Sequence, residues 1–244
     1  LEDHGHRRIV VTVNATQLED HEVQIWWTSL EANDGQVEKL RRLLSAAEHR
    51  RASRFRIERA RRRFIVARAA LRLVLGQCTG IDPVDLVFVV GEHGKPSRVG
   101  GPFFNASDSG EFVAIAVATA EVGLDIENAR TLRRADRLAH RVCTPLELDD
   151  LAELPEDERD RRILRLWTCK EAALKAIGVG LPGGAHNVEV EFSPGGSPKL
   201  TSLFGEPSGW ALLCPEIHPD IVCSLVVSGS GWRAISRPFS AHSM

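Results

Sequence analysis

Asp125 and Glu127 stand two apart in the segment Val122-Gly123-Leu124-Asp125-Ile126-Glu127. On a strand successive side chains alternate faces, so both carboxylates project together while Leu124 and Ile126 turn into the core. Neighbouring carboxylates repel, and a hard divalent cation such as Mg²⁺, or Mn²⁺ in its place, relieves that repulsion. An acidic, solvated strand face carries the same pattern. Further along, Trp167-Thr168-Cys169-Lys170-Glu171-Ala172-Ala173-Leu174-Lys175 puts Trp167, Glu171 and Lys175 at i, i+4 and i+8, along one stripe of a helix. A Glu four residues before a Lys is a common surface pair, and in isolation the stripe reads as an ordinary solvated one. Gly94-Lys95-Pro96 and Phe103-Phe104-Asn105-Ala106-Ser107-Asp108-Ser109-Gly110 combine a lysine with small hydroxyl residues, as a phosphate site would, or as two β-turns would. Between Arg50 and Arg63 there are eight arginines and one acid, Glu58, which suits an anionic ligand or RNA, or a solvated helix face.

These residues need elements to hold them. A strand is expected at Glu121–Glu127, after a short apolar strand at Phe112–Ala118, and a long helix at about Glu156–Ile177 ending at Gly178. An early strand is expected at Val23–Thr28, a helix over about Ser45–Leu75 stopped by Gly76, and strands at Val84–Val90 and Phe103–Phe104. Helices at about Leu132–Arg141 and from Pro145 precede strands at Val188–Phe192, Trp210–Leu213 and Ile221–Val227. The polar ends, before about residue 15 and after Ser228, read as loose. Helices mixed with mainly antiparallel strands make the chain α+β.

The 244 residues carry 31 Lys+Arg and 33 Asp+Glu, and 43% are hydrophobic, ordinary values for a globular protein with a sizeable core. A net charge of −2 argues against a general duplex nucleic-acid binder, and the near absence of aromatics among the arginines argues against single-strand stacking. No apolar run is long enough to span a membrane. The start, Leu1-Glu2-Asp3-His4, lacks the plan of a signal peptide. Five scattered cysteines without a CxxC pair fit a reducing, cytoplasmic setting.

Taken in order, GKP at 94–96, FNASDSG at 104–110, VGLDIE at 122–127 and WTCKEAALKAIGVGL at 167–181 resemble the motifs of the 4′-phosphopantetheinyl transferases of the larger, surfactin-synthetase-activating type. The resemblance covers about residues 45–227. It implies two similar halves related by a pseudo-two-fold, each a small, mainly antiparallel sheet packed with helices, divided as 1–122 and 123–244. It implies transfer of the phosphopantetheine arm of coenzyme A to a serine of an acyl or peptidyl carrier protein by a monomer, with release of adenosine 3′,5′-bisphosphate. Carried over by motif, Asp125, Glu127 and Glu171 would hold Mg²⁺, and Glu171 would accept the serine proton. Lys175 would meet the pyrophosphate, and Lys95, Pro96 and Ser107 the nucleotide end, with Arg51 and Arg63 as cationic contacts. Asp108 stands where the family has a histidine facing the 3′-phosphate; with arginines so dense nearby, one of them is expected to neutralise it. An acidic carrier would dock near 128–142, on Arg130, Arg133, Arg134, Arg137 and Arg141. Other classes are a coenzyme A-binding homologue without transfer activity, supported by Asp108, and an RNA-binding module.

Overall fold

The computed structural model describes residues 18–91, 94–129, 135–179, 184–193 and 197–241. The first part of the chain runs β1 (Glu22–Ser29), α1 (Asp34–Arg41), α2 (Ala46–Ala52), α3 (Glu58–Thr79), β2 (Val89–Val90), β3 (Pro96–Ser97), β4 (Phe103–Ser109), β5 (Phe112–Ala118) and β6 (Val122–Asn128). It continues with α4 (Ala135–Val142), α5 (Pro145–Ala152), α6 (Glu156–Ile177), β7 (Val188–Glu191), β8 (Lys199–Leu203), β9 (Glu206–Pro207), β10 (Trp210–Leu213), β11 (Ile221–Ser228) and β12 (Arg233–Pro238). Two sheets matter for the site, one ordered β12-β1-β5-β4 and one ordered β10-β11-β6. The architecture is α+β, as expected.

Strand alternation sorts the cores into layers. Trp26, Val113, Ile115 and Val117 pack with Leu71 and Val74 of α3. Their neighbours Val23, Ile25, Ala114 and Ala116 turn the other way, onto Leu124, Ile126 and Leu225 of the second sheet. Val226 packs with Ala172 and Ala173 of α6. Helix, sheet, sheet and helix therefore stack in that order. The short helices rely on capping boxes, in which Asn33, Ser45 and Thr144 exchange hydrogen bonds with Gln36, Glu48 and Glu147.

Several expectations are corrected. The helix over 45–75 is two helices. In one straight helix Glu48 and Arg72 would lie about 36 Å apart at about 1.5 Å per residue; the break folds α2 back so that Arg72 Nε donates to Glu48 Oε2 at 2.7 Å. Gly76 does not end α3: it lies inside the helix, against Ile81 O and Pro83, and Gly80, at φ 71°, is the cap. Of the expected strand 84–90 only Val89–Val90 pairs, with Pro96–Ser97, and Val84 and Val87 are exposed. The segment after Ser228 is not loose, because β12 runs parallel to β1, with Glu22 opposite Arg233 and Trp27 opposite Pro238. The last strand thereby crosses back into the first sheet, at its edge beside β1. Residues 1–17 lie outside the described residues.

Candidate active site

The site lies where β4, β6 and α6 meet. On β6, Leu124 and Ile126 enter the core while Asp125 and Glu127 face α6, the alternation the sequence implies. The helix rests directly on the strand at Gly123, where a Cβ would fall 2.0 Å from Ala172 O and 2.3 Å from Ala176 N. Only glycine allows this approach, which brings Glu171 and Lys175 over the β6 carboxylates.

β4 and β6 belong to different sheets, and among the described residues it is side chains of β4 that join them. Asn105 Oδ1 accepts from the Leu124 N–H at 3.0 Å. Ser107 Oγ donates to Asp125 Oδ1 at 2.9 Å. Ser109 Oγ donates to Glu127 Oε2 at 2.6 Å and accepts from the Asn128 N–H at 3.1 Å. The segment Phe103–Ser109 is thus a strand whose alternate residues stitch a seam, not the pair of turns its composition suggests. The spacing of Asn105, Ser107 and Ser109 at every second position was the signal for it.

From the other side, Lys175 Nζ donates to Asp125 Oδ1 at 2.6 Å and to Ser107 Oγ at 3.1 Å. Trp167 Nε1 donates to Glu127 Oε1 at 3.3 Å. Between them on the stripe, Glu171 Oε1 is buried without a hydrogen-bond partner, and so is Asp125 Oδ2. Burial pushes the Glu171 carboxyl up to about 7, reinforced by Asp125 and Glu127 and opposed by Lys175 and Arg141. Asp125 is also raised, burial outweighing the ion pair with Lys175 and the Ser107 bond.

Among the described residues no three His, Cys, Asp or Glu side chains converge tightly enough to hold an ion as they stand. Lys175 supplies the positive charge instead. The donor set nonetheless fits a hard cation: two buried carboxylate oxygens, Asp125 Oδ2 and Glu171 Oε1, lack partners, and the Lys175 ammonium is bonded to Asp125.

A cavity of about 280 Å³ opens beside these groups, lined by Lys95, Pro96, Asn105, Glu171, Lys175 and Gly178 among others. Lys95 does not present a free charge there: its Nζ donates to Ala176 O at 2.9 Å, Glu121 Oε2 at 3.0 Å and Val122 O at 3.2 Å. Asp108 lies on the opposite face of β4 from Ser107 and Ser109, where Arg63 Nη2 meets its Oδ2 at 3.3 Å, the neutralising arginine that was expected. Arg51 is not brought to this cavity; its guanidinium lies 5.3 Å from the Phe64 ring, beside Arg50 and Arg54 at a separate hollow. Of the expected docking surface, 130–134 lie outside the described residues, while Arg137 and Arg141 are exposed on α4.

One structural residue went unread in the sequence. Lys170 is fully buried, donating to Glu147 Oε2 at 2.6 Å, Val142 O at 2.8 Å and Ala185 O at 3.2 Å. It ties α6 to the α4–α5 junction, and with it the neighbourhood of Arg141.

The motif order, the layered α+β fold and this carboxylate–lysine seam agree with what comparison finds. The 4′-phosphopantetheinyl transferase superfamily profile matches residues 121–226. The chain is 35% identical over 228 residues to 4′-phosphopantetheinyl transferase HetI of Nostoc sp. (strain PCC 7120), spanning 90% of this chain and 93% of that one. It is 29% identical to psf-1 of Bacillus pumilus, covering 68% of this chain and 71% of the relative. With Sfp of Bacillus subtilis (strain 168) it shares 26% identity, over 75% of this chain and 86% of that protein. This chain belongs to the 4′-phosphopantetheinyl transferase family.

Proposed function

We propose that the chain moves the 4′-phosphopantetheine arm of coenzyme A onto a serine of an acyl or peptidyl carrier protein and releases adenosine 3′,5′-bisphosphate. The observation that carries this reading is the stripe of Trp167, Glu171 and Lys175 laid over Asp125 and Glu127, with two buried carboxylate oxygens left for a further ligand. Asp125, Glu127 and Glu171 would hold Mg²⁺, whose charge, when bound, offsets negative charge growing on the leaving bisphosphate. Glu171 Oε1, unpartnered and on a carboxyl raised to about 7, is the acceptor for the serine proton, directly or through water. Lys175, one turn along the helix from Glu171, would pair with a pyrophosphate oxygen. Pro96 and Ser107 border the nucleotide end, Lys95 shapes its wall, and Arg63 and Arg51 contribute positive potential further out. An acidic carrier docks on the surface at 128–142, where Arg137 and Arg141 stand out from α4. The first half mainly binds coenzyme A and the second mainly holds the metal and carrier. One chain supplies every one of these residues, so a monomer suffices. Among the described residues no helix is long and apolar enough to cross a membrane. The pairing of Asp108 with Arg63 supports the catalytic reading over that of a non-catalytic homologue.

The test is the intact mass of an apo carrier protein incubated with the chain, coenzyme A and Mg²⁺. A gain of one phosphopantetheine, lost with EDTA and with Glu171→Ala, is expected. No gain across several apo carriers, with coenzyme A bound, would overturn the proposal.

A further inference from the structure

We propose that Ser109 and Trp167 are positioning residues that aim the Glu127 carboxylate at the cation, an inference resting on the metal role proposed above. Glu127 is half-buried, whereas Asp125, two residues earlier, is buried. A glutamate there has three side-chain torsions to fix before it can ligate anything. Two elements fix them. Ser109 on β4 donates to Oε2 at 2.6 Å, and Trp167 on α6 donates to Oε1 at 3.3 Å. The direction of the serine bond is set, because the Asn128 N–H donates to the same Oγ at 3.1 Å and leaves its proton for Glu127. An indole N–H can only donate. Each carboxylate oxygen thus receives one hydrogen bond and keeps a lone pair for a ligand.

The device repeats two residues earlier. Asp125 Oδ1 receives Ser107 of β4 at 2.9 Å and Lys175 of α6 at 2.6 Å. Each β6 carboxylate is therefore gripped by a β4 serine on one side and an α6 donor on the other. The two α6 donors, Trp167 and Lys175, flank Glu171 by one turn each. Hydrogen bonds that orient metal ligands are worth about 10–100-fold in metal affinity.

The test is Mn²⁺ affinity of the full chain, read from the free-ion paramagnetic resonance signal, for wild type, Ser109→Ala, Ser109→Thr, Trp167→Phe and Asp125→Ala. Ser109→Ala and Trp167→Phe should each weaken binding about tenfold. Ser109→Thr, which keeps the hydroxyl, should stay within about twofold of wild type. In turnover, both weakened variants should raise KM for Mg²⁺ and recover kcat at saturating metal, a split that a folding lesion would not give. If Ser109→Ala and Trp167→Phe bind Mn²⁺ like wild type while Asp125→Ala does not, the clamp is overturned and the metal reading stands. If Asp125→Ala also binds like wild type, both are overturned.

Discussion

Placing a methyl group at Gly123 tests whether the spacing between one strand and one helix sets the site. The new Cβ would lie 2.0 Å from Ala172 O, 2.3 Å from Ala176 N and 2.8 Å from Ala176 Cα. All three are backbone atoms, so no rotamer change relieves the overlap. Ordinary contact begins at 3.4 Å, and 3.4 − 2.0 leaves about 1.4 Å by which α6 must lift from β6. Because α6 carries Lys175 and β6 carries Asp125, their 2.6 Å contact would open to about 4 Å, and Glu171 would withdraw with the helix. Overpacking of this kind costs about 1–3 kcal/mol. At about 2–4 °C per kcal/mol for a chain of this size, the melting temperature should fall by about 2–12 °C, leaving a folded protein at room temperature. Transfer should suffer more, since a misplacement of about 1 Å costs about a hundredfold. Thermal melts and single-turnover loading of an apo carrier, read by intact mass, measure the two effects separately. Gly123→Ala with the wild-type melting temperature and a loading rate within about threefold of wild type would refute the argument.

Three further outcomes follow from contacts elsewhere. Lys170→Met strands Glu147 as a buried, unpaired charge and should cost about 3–5 kcal/mol in urea melts; adding Glu147→Gln should restore more than half, and no recovery would mean that the ion pair is not what is lost. Since Arg63 already offsets Asp108, Asp108→His should change KM for coenzyme A by less than about tenfold, and a tenfold improvement would sink the compensation idea. Glu171 is raised from 4.5 to about 7, so it binds a proton in the metal-free fold that the unfolded chain would have lost. The metal-free protein should therefore lose stability as pH rises from about 4.5 through about 7, and cation binding below pH 7 should release a proton and weaken as pH falls. Melts across that range and calorimetry in buffers of different ionisation enthalpy check both signs.

What could be read from the sequence was what a local window contains. α6 was legible because Pro155 and Gly178 bracket it, and β5 because Phe112–Ala118 is continuously apolar. The division of β6 into inward Leu124 and Ile126 and outward Asp125 and Glu127 followed from strand periodicity alone. β12 was illegible because Arg233–Pro238 is a polar edge strand whose partner, β1, lies more than 200 residues earlier in the chain. α1 escaped because only Val37 and Leu40 are buried in it, too few to show a helical period. The break between α2 and α3 carries no glycine or proline; it is dictated by a tertiary pair, Glu48 with Arg72.

The same limit explains what was missed at the site. The carboxylates were visible, but the groups that hold them come from β4, 18 residues before, and from α6, 40 to 50 residues after. Ser109 and Trp167 had no local reason to be paired with Glu127. Only the meeting of two sheet edges beneath one helix gives them that role. A motif in such a protein is therefore half of a contact, and its chemistry depends on Gly123 keeping α6 within reach of β6. Substitutions that change that spacing should cost more activity than those that change the charge of any single exposed residue.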